Sequence, residues 1–439
     1  MKILLVGNGG RENAIANGIY NSPSFINSKS VLYTTIGNPG LDKISTPIDI
    51  KPAEIDKLVL FAKKENIHFT VVGPEIPLSL GIVDAFEKEN LKIFGPSRKA
   101  AELESSKIFA KNLMKKYRIP TAEYKEFNSG NLKDACEYLM YSKYPLVIKA
   151  DGLAAGKGVI IVNNYAEAKD VITDFVDNKV FGDAGLNFII EEFLTGFELS
   201  LFVITDGINY AALPFSQDHK KIGEGDTGKN TGGMGAYAPA DNMIDKDIYE
   251  NIMMGIIEPT LQGMVKEGRK YKGCLYCGLM ITEKSPGALQ PYVIEFNARF
   301  GDPETQSVLP LIKSDFLELL LASAEEKINE YRLEVYDKYS CCVILASAGY
   351  PEKYETGKII QGLWNNSKDT FIFHSGTRYS ADKKDVLTNG GRVLSVVALS
   401  DISMEDSIKN CYAEIEKINF ENMYFRKDIG FKYKKSINK

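Results

Sequence analysis

The first hundred residues alternate short apolar runs with stretches of helical spacing, and this pattern constrains the fold more than any other feature of the chain. Four runs predict strands: KILLVG, SVLYTT, FTVVG and LKIFG. Between the last two, Ile82, Val83 and Phe86 keep the spacing of one helix face. Such alternation predicts a parallel sheet with helices on its faces. The Gly-rich turns GNGG, GNPG and GPE follow strands, at the edge where open α/β sheets bind ligands.

Bulk composition limits the function classes. The chain has 439 residues, of which 44% are hydrophobic and 25% charged, so we expect a globular protein of roughly two to four domains. The net charge of −5 argues against a nucleic-acid-binding surface. The sequence contains no long uncharged apolar run, so no membrane-spanning helix is predicted. Cys274 and Cys277 form an isolated CxxC without the further ligands that a zinc site needs, and unpaired thiols fit a cytoplasmic location.

The rest of the chain has a mixed pattern. A helix capped by Ser105 or Ser106 is predicted through Phe109, Leu113 and Tyr117. Residues 121–193 then predict strands at PLVIKAD, GVIIV and NFIIEEF and a helix around Ala166–Val176. A strand at ELSLFVI, a polar Gly-rich stretch and a strand–loop–helix unit follow. The last hundred residues predict mostly strands, at SCCVILAS, KIIQGL, FIFHSG and RVLSVVAL.

The segment GNGGREN, from Gly7 to Asn13, is a poor dinucleotide-binding motif. The third glycine of GxGxxG is absent, with Glu12 in its place, and the second strand ends in Thr34 and Thr35 where a ribose-binding acid is expected. A nicotinamide cofactor is therefore disfavoured. The segment can still hold a phosphate through backbone N–H groups at a helix N-terminus, or it is only a tight turn that packing requires.

The segment KADGLAAGKGV, from Lys149 to Val159, superficially looks like a phosphate-binding P-loop. Lys157 is followed by Gly158 instead of Ser or Thr, and strands flank the segment on both sides. A β-hairpin whose Gly-rich tip closes over nucleotide phosphates fits better, with Lys149 supplying a positive charge from the strand. The alternative is a hairpin tip without a ligand.

Two strand segments carry acidic residues. Around IIEEFLTGFELS, Glu191 to Leu194 could read an adenine edge and Glu198 could accept ribose hydroxyls, although acidic and apolar residues also alternate in ordinary edge strands. In VIEFNARFGDPE, strand alternation predicts Val293, Glu295 and Asn297 on one face and Ile294 and Phe296 in the core. Glu295 and Asn297 would then offer hard oxygen ligands to Mg²⁺. Asp302 is expected to cap the following helix, to act in the site, or both.

The stretch DHKKIGEGDTGKNTGGMGAY, from Asp218 to Tyr237, is too rich in glycine and polar residues to predict a core segment. It is either a disordered linker or a substrate loop, and Met234, Ala236 and Tyr237 favour the loop because they offer anchors. His219 is expected to form hydrogen bonds and not to act as a general base.

Taken together, these segments resemble the phosphoribosylamine–glycine ligase (glycinamide ribonucleotide synthetase) family of the ATP-grasp superfamily. The resemblance extends from GNGGREN through ESSKIFAKNLM to the C-terminal LTNGGRVLSVVAL and YFRKDIG. It implies an α/β multidomain protein with an ATP-grasp fold, a parallel-sheet pre-ATP-grasp domain, a lid subdomain and a mainly β C-terminal domain. The boundaries implied are 1–103 for the N-terminal domain, 104–120 with 194–326 for the central domain, 121–193 for the lid and 327–439 for the C-terminal domain.

The resemblance also implies roles for individual residues. Residues implied to bind ATP are Lys107, Lys149, Gly152, Gly156, Lys157, Gly158, Glu191, Phe193, Leu194 and Glu198. Residues implied to bind the ribose phosphate are Gly9, Gly10, Asn38, Gly40 and Glu75. Residues implied to face the reacting groups are Asp218, Lys220 and Arg299, with Thr231 and Asp302 also near the substrates. Glu295 and Asn297 would bind Mg²⁺ or Mn²⁺, and Gly278 stands where many relatives bring a further carboxylate.

The activity implied is the ATP-dependent joining of glycine to 5-phosphoribosylamine in purine biosynthesis, by a cytoplasmic monomer or weak homodimer without nucleic-acid or membrane partners. Other interpretations are an ATP-grasp ligase or carboxylase that uses formate or bicarbonate, and a catalytically silent nucleotide-binding regulator. The two lysines, the metal pair and the lid argue against silence. A nicotinamide-dependent dehydrogenase is disfavoured by the turn at Gly7.

Overall fold

The opening hundred residues form the parallel sheet that the alternating pattern predicts. In the computed structural model, which describes residues 1–153, 158–285, 287–364 and 367–433, this sheet has the order β3-β2-β1-β4-β5. The strands are β1 (Lys2–Val6), β2 (Val31–Thr35), β3 (Thr46–Ile48), β4 (Phe69–Val72) and β5 (Ile93–Phe94). The helices are α1 (Gly10–Tyr20), α2 (Pro23–Asn27), α3 (Ile55–Glu65), α4 (Glu75–Ser79), α5 (Ile82–Lys88) and α6 (Arg98–Ser105). The short edge strand β3 is an addition to the prediction.

The next helix, α7 (Lys107–Tyr117), begins where its cap was predicted, because the Ser106 side chain accepts the backbone N–H of Phe109 at 3.1 Å. It leads into a four-stranded sheet of order β6-β9-β7-β8, which we call the lid sheet. Its strands are β6 (Tyr124–Asn128), β7 (Leu146–Ala150), β8 (Val159–Val162) and β9 (Asn187–Glu192), with helices α8 (Leu132–Tyr141) and α9 (Tyr165–Val176). Ile148, Phe175 and Phe188 are fully buried in a core separate from the rest of the molecule.

The central region is built on a second antiparallel sheet, of order β11-β10-β16-β17. The strands of the region are β10 (Phe197–Thr205), β11 (Tyr210–Ala212), β12 (Gln217–Asp218), β13 (Lys221–Gly223), β14 (Thr227–Asn230), β15 (Gly235–Ala238), β16 (Gly273–Ser285) and β17 (Ala288–Asn297). Its helices are α10 (Lys246–Ile252), α11 (Glu258–Lys266), α12 (Glu304–Val308) and α13 (Phe316–Ala324).

Strand β17 departs from the predicted alternation. A bulge places Glu295 opposite Gly278 but Val293 opposite Leu279, so Ile294 is an extra residue. Val293 is therefore fully buried, whereas Ile294 is only partly buried, and the prediction for these two side chains is wrong. After the bulge the alternation resumes, with Phe296 in the core and the partly exposed Glu295 and Asn297 on the other face.

The Gly-rich stretch contributes to the core, contrary to the prediction from its composition. Its end forms β15, in which Ala236 and Tyr237 are fully buried, and Met234 beside it is buried as well. The middle forms a small antiparallel hairpin of β13 and β14. The stretch is thus fixed at both ends to sheets and is not a linker.

The C-terminal region shares its main sheet with that stretch. The order is β12-β15-β18-β23-β20, so two strands from before residue 240 join this sheet, and β15 pairs with β18 from after residue 338. The remaining strands are β18 (Tyr339–Ala346), β19 (Ile359–Ile360), β20 (Thr370–His374), β21 (Thr377–Tyr379), β22 (Val386–Thr388) and β23 (Arg392–Ser400). Helix α14 (Met404–Ile415), which the sequence analysis did not predict, packs on β18 and β23. Among the described residues, no helix is both long and apolar enough to cross a membrane.

Candidate active site

A cluster of positive side chains surrounds Glu295 on the face of β17. Burial acts to raise the pKa of the Glu295 carboxyl, but the charges of Lys220, Lys149 and Lys107 outweigh it and hold that pKa below its ordinary value. The three lysines come from three different elements, which only the fold brings together. Three ammonium groups that approach one carboxylate suit a ligand with several negative oxygens, such as a nucleotide phosphate chain.

Lys107 lies at the first position of α7 and reaches toward the lid sheet. Its Nζ donates to the carbonyl oxygen of Gly152 at 2.9 Å. Burial lowers the pKa of Lys107, although Glu295 opposes that shift. The backbone oxygen of Gly158, on the other side of the hairpin tip, accepts the N–H of Ala150 at 2.9 Å. The predicted phosphate-binding residues Gly156 and Lys157 lie outside the described residues.

Lys149 and Glu191 form an ion pair inside the lid sheet. The Nζ of Lys149 lies 2.9 Å from Glu191 Oε2 and donates to the carbonyl oxygen of Ile294 at 3.1 Å. The second oxygen of Glu191 faces Lys111, whose Nζ is 3.2 Å away. Sequence reasoning missed Lys111, because a lysine on an amphipathic helix gives no sign that its side chain is buried. Phe193 and Leu194 follow β9 with exposed and partly exposed side chains, as a nucleotide-facing segment would.

Lys220 connects the Gly-rich stretch to β10. Its Nζ lies 2.7 Å from Glu198 Oε2, so the predicted ribose-binding acid is paired with a predicted catalytic lysine. Burial acts to lower the pKa of Lys220, but Glu198, Tyr276 and Glu295 raise it well above its ordinary value. The ammonium group therefore stays charged at neutral pH.

Asp218 lies beside the same lysine in a buried acidic environment. Burial and then the neighbouring Glu304 carboxylate raise the pKa of Asp218 well above its ordinary value, and Lys220 opposes them. Glu304 is 4% exposed and accepts a hydrogen bond from Ser200 Oγ at 3.2 Å. The neighbouring His219 is fully buried; its Nε2 accepts the N–H of Gly430 at 3.2 Å, and burial lowers its pKa to about 3. A hydrogen-bonding role for His219 is confirmed.

Arg299 is held between two carboxylates. Its Nε lies 3.3 Å from Glu75 Oε2 and its NH2 lies 3.3 Å from Glu104 Oε1. Burial acts to lower the pKa of Arg299, but these two acids raise it above its ordinary value. Arg11 NH1 is 3.9 Å from the same Glu75 carboxylate. Glu75 therefore joins the N-terminal sheet to the central site.

The N-terminal turns pack tightly against the C-terminal region. A Cβ at Gly10 would lie 2.3 Å from Ser375 Oγ, and one at Gly40 would lie 2.6 Å from His374 Cδ2. Asn38 Nδ2 donates to the His374 carbonyl oxygen at 3.1 Å. The Gly9 N–H donates to Glu12 Oε2 at 2.7 Å, so this amide is already satisfied in the present conformation.

Asp302 does not cap a helix with its side chain, because α12 has Pro303 at its N-cap and no side-chain cap. Instead Asp302 Oδ2 pairs with Arg392 NH2 at 3.1 Å. Arg392 NH1 also donates to the carbonyl oxygen of Gly232 at 2.5 Å, next to Thr231, whose Oγ1 donates to the Lys220 carbonyl oxygen at 2.9 Å. Arg392 belongs to the NGGRVL segment, which the sequence analysis noted without assigning the arginine a role.

Glu295 and Asn297, the two residues predicted to bind a metal ion, lie two positions apart after the bulge of β17. Within the described residues, no group of three or more His, Cys, Asp or Glu side chains could hold a metal. Gly278 lies opposite Glu295 across the strands and adds no carboxylate. The thiols of Cys274 and Cys277 are buried, and the described residues provide no further ligands that would make a zinc site with them.

Lysine side chains gathered between an antiparallel central sheet and a separate four-stranded lid sheet are the arrangement of an ATP-grasp enzyme, the class to which residues 105–305 match. Three family models match the chain: the phosphoribosylglycinamide synthetase N domain at residues 1–104, the ATP-grasp (A) domain at 105–305 and the C domain at 340–432. The chain therefore belongs to the phosphoribosylglycinamide synthetase family, and the predicted family and fold class are confirmed.

Individual relatives agree over nearly the full length. The chain is 47% identical to a phosphoribosylamine–glycine ligase of Caldanaerobacter subterraneus over 99% of this chain and 100% of that protein. It is 45% identical to the corresponding ligase of Escherichia coli over 98% of both chains. The crystal structure of a phosphoribosylamine–glycine ligase from Thermotoga maritima, 31% identical, superimposes with a TM-score of 0.83 over 98% of this chain and 100% of that one.

Proposed function

We propose that the chain joins glycine to 5-phosphoribosylamine at the expense of ATP, giving glycinamide ribonucleotide, ADP and phosphate in purine biosynthesis. The single observation that carries the proposal is the convergence of Lys107, Lys149 and Lys220 on Glu295 under the lid sheet, in a chain of this family. Such a site neutralises a triphosphate and the charge that develops during phosphoryl transfer.

The reaction needs activation because a carboxylate is a poor acyl donor. One glycine carboxylate oxygen attacks the γ-phosphorus of ATP, ADP leaves, and glycyl phosphate forms. The nitrogen of phosphoribosylamine then attacks the carbonyl carbon, inorganic phosphate leaves, and the nitrogen loses a proton. Lys107 and Lys149 would hold the ATP phosphates, Arg299 and Lys220 would bind the reacting acyl and phosphate groups, and Asp218 would receive the proton.

A divalent cation fits the donors present. Glu295 and Asn297 supply two hard oxygen ligands, which suit Mg²⁺ or Mn²⁺ when nucleotide phosphates and water complete the coordination. When bound, such an ion would neutralise charge on the phosphates. The low pKa of Glu295 keeps this carboxylate ionised and ready to bind a cation.

The lid sheet and the two ends of the molecule complete the proposal. We propose that residues 121–193 close as a lid that excludes water from the acyl phosphate; their separate hydrophobic core supports movement as a unit. Gly9, Gly10, Asn38, Gly40 and Glu75 would hold the ribose phosphate from the N-terminal side, and Thr231 and Asp302 from the opposite side. Adenosine would lie against Glu191, Phe193, Leu194 and Glu198.

We also propose a cytoplasmic monomer or weak homodimer. All six cysteines are unpaired, which fits a reducing compartment. The proposed substrates are small molecules.

The decisive experiment is an ADP-release assay with ATP and Mg²⁺ in which glycine and freshly generated phosphoribosylamine are omitted in turn. We expect the full rate of ADP release only when both substrates are present. Glycinamide ribonucleotide should then form in an amount equal to the ADP released. Formate and bicarbonate, offered in place of glycine, test the alternative acyl donors. ADP release that is faster with either of them than with glycine would contradict the proposal.

A further inference from the structure

We infer that Lys111 is a positioning residue for nucleotide binding: acting through Glu191, it holds the ammonium group of Lys149 at the phosphate site. The inference rests on the proposed function in so far as Lys149 is taken to bind ATP phosphates. Lys111 itself lies about one helical turn beyond Lys107 on α7, and its Nζ contacts Thr121, Ala122 and Glu191, where α7 meets the connection into the lid sheet and strand β9.

The geometry is a carboxylate between two ammonium groups. The Glu191 side chain is 4% exposed, with Lys149 Nζ 2.9 Å from Oε2 and Lys111 Nζ 3.2 Å from Oε1. The Lys111 side chain is only 2% exposed. Because all three groups are removed from water, each charge depends on the others and not on solvent screening.

Lys111 is fixed from its other side as well. Its Nζ donates to Thr121 Oγ1 at 2.7 Å and to the carbonyl oxygen of Ala122 at 3.2 Å, and Thr121 Oγ1 in turn donates to the Val293 carbonyl oxygen at 2.8 Å. Lys149 donates to the next carbonyl along, that of Ile294. The cluster therefore joins α7, the connection into the lid sheet, β7, β9 and the bulge of β17.

Loss of Lys111 would leave Lys149 as the one remaining ion-pair partner of Glu191 among the described residues. The buried carboxylate would then interact with the Lys149 ammonium group alone and draw it further from the phosphate site. Burial lowers the pKa of Lys111 to about 8 in spite of Glu191, which shows that the fold keeps this ammonium group in a dry position at a cost. Packing alone would be served equally well by an uncharged side chain.

A competing role for Glu191 is direct recognition of adenine. Although Lys111 Nζ lies within ion-pair distance, Glu191 Oε1 has no well-aligned hydrogen-bond donor within the described parts of the chain. The amino group of adenine could serve as such a donor. The two roles predict different effects on binding. If Glu191 recognises adenine, its substitution should weaken the binding of adenosine as much as that of ATP, whereas a role in positioning Lys149 should affect only ligands that carry phosphates.

The test uses Lys111→Met, Lys111→Arg, Glu191→Gln and the double variant Lys111→Met/Glu191→Gln. The exposed Lys115 on the same helix provides the control variant Lys115→Met. Calorimetry would measure the Kd of a non-hydrolysable ATP analogue and of adenosine for each protein, and thermal denaturation would confirm folding. We expect Lys111→Met to raise the Kd of the ATP analogue at least tenfold and the Kd of adenosine less than twofold. In Lys111→Arg the Kd of the analogue should lie within about threefold of the wild-type value. The double variant should be no weaker than Glu191→Gln, because Lys111 acts through Glu191.

Equal weakening of adenosine and the analogue, additive losses in the double variant, or wild-type binding in Lys111→Met would each overturn the inference. If Lys111→Met does not fold, Lys111→Gln and Glu191→Gln make the same comparison between the two ligands. Wild-type protein that binds the analogue but releases no glycine-dependent ADP would refute the proposed function alone, since the comparison of variants depends only on binding.

Discussion

Arg392 and Asp302 form an ion pair of 3.1 Å between two segments that are 90 residues apart in the chain. The same guanidinium group donates to the carbonyl oxygen of Asp302 at 2.9 Å and to that of Gly232. One side chain of the C-terminal sheet thus holds two segments that were predicted to contact the substrates. A planar group with several donors is required, which a lysine cannot replace.

We therefore predict that Arg392→Lys lowers kcat/KM for phosphoribosylamine by about 10- to 100-fold, equivalent to about 1.4–2.7 kcal/mol. Steady-state kinetics with varied phosphoribosylamine would measure the change. Arg378→Lys, at an exposed position of the same region, is the matched control and should keep wild-type kinetics. Unchanged kinetics in Arg392→Lys would show that the pair has no part in substrate binding.

Glu295→Ala and Lys149→Ala should fold normally and lose turnover. Both side chains belong to the charged cluster that is proposed to hold the nucleotide phosphates, so their loss should cost about 3 kcal/mol or more of transition-state stabilisation. Turnover at saturating ATP and Mg²⁺, together with thermal denaturation, would test this. Glu137→Ala on the exposed face of α8 is the control. Near-normal turnover in either variant would remove that residue from the site.

The acyl group should be activated on phosphate and not on the protein. Glycine labelled with oxygen-18 in its carboxylate should transfer one labelled oxygen to inorganic phosphate for each amide formed. Mass spectrometry of the released phosphate measures the transfer. Label found in AMP or in water would exclude glycyl phosphate and require an adenylate or another route.

Stability should fall on acidification because two histidines are buried. Burial, followed by the charges of Lys432 and Arg426, lowers the pKa of His219 to about 3; burial and Lys43 do the same for His374. In the unfolded chain the ordinary pKa is about 6.5, so between pH 6.5 and 3 the unfolded state binds more protons. The free energy of unfolding should therefore decrease by about 1.4 kcal/mol per pH unit for each histidine as the pH falls through this window.

Urea unfolding at pH 7, 6 and 5 would measure that slope. In His374→Gln the side chain is polar and of similar length but cannot take up the proton. The free energy of unfolding of this variant should therefore change less with pH, by about the contribution of one histidine. The same slope in the variant and in the wild type would show that His374 does not titrate in this way.

Gly10→Ala should destabilise the contact between the N-terminal and C-terminal regions. The added Cβ would lie 2.3 Å from Ser375 Oγ and 2.9 Å from Gln306 Nε2, so overpacking should cost about 1–3 kcal/mol. Gly255→Ala is the control because an added Cβ there meets no atom within 4 Å. Chemical denaturation of both variants would give the difference, and equal stability would contradict the close packing at Gly10.

Much of the fold followed from local patterns. Apolar runs predicted four strands of the N-terminal sheet, three of the four strands of the lid sheet and most C-terminal strands, because burial and turn chemistry act over a few residues. The more polar strand β6 and helix α8 were not predicted. The bulge at Ile294 could not be predicted, since it depends on the register with β16. The place of Tyr237 within a sheet was missed because one of its two strand partners, Cys341, lies more than a hundred residues away.

The site was predictable only in part for the same reason. Strand patterns pointed to Glu295 and Lys149, and the family resemblance pointed to Lys220. In contrast, Lys111 and Arg392 owe their positions to partners on distant elements, and nothing beside them in the sequence distinguishes them from solvated side chains. Those contacts become visible only when the sheets are assembled.

The pairing of β15 with β18 has a practical consequence for recombining related sequences. Residues 326–338 connect the central region to the C-terminal region. They would be a natural crossover point for a chimera that takes the C-terminal region from a second homologous parent. Yet four register pairs, from Gly235 with Val343 to Ala238 with Ser340, cross that point, and Arg426 of the exchanged part pairs with Asp226 of the retained part. A chimera that keeps residues 217–238 and 339–433 from the same parent preserves this sheet, whereas a single crossover at the junction places two unmatched surfaces in its interior.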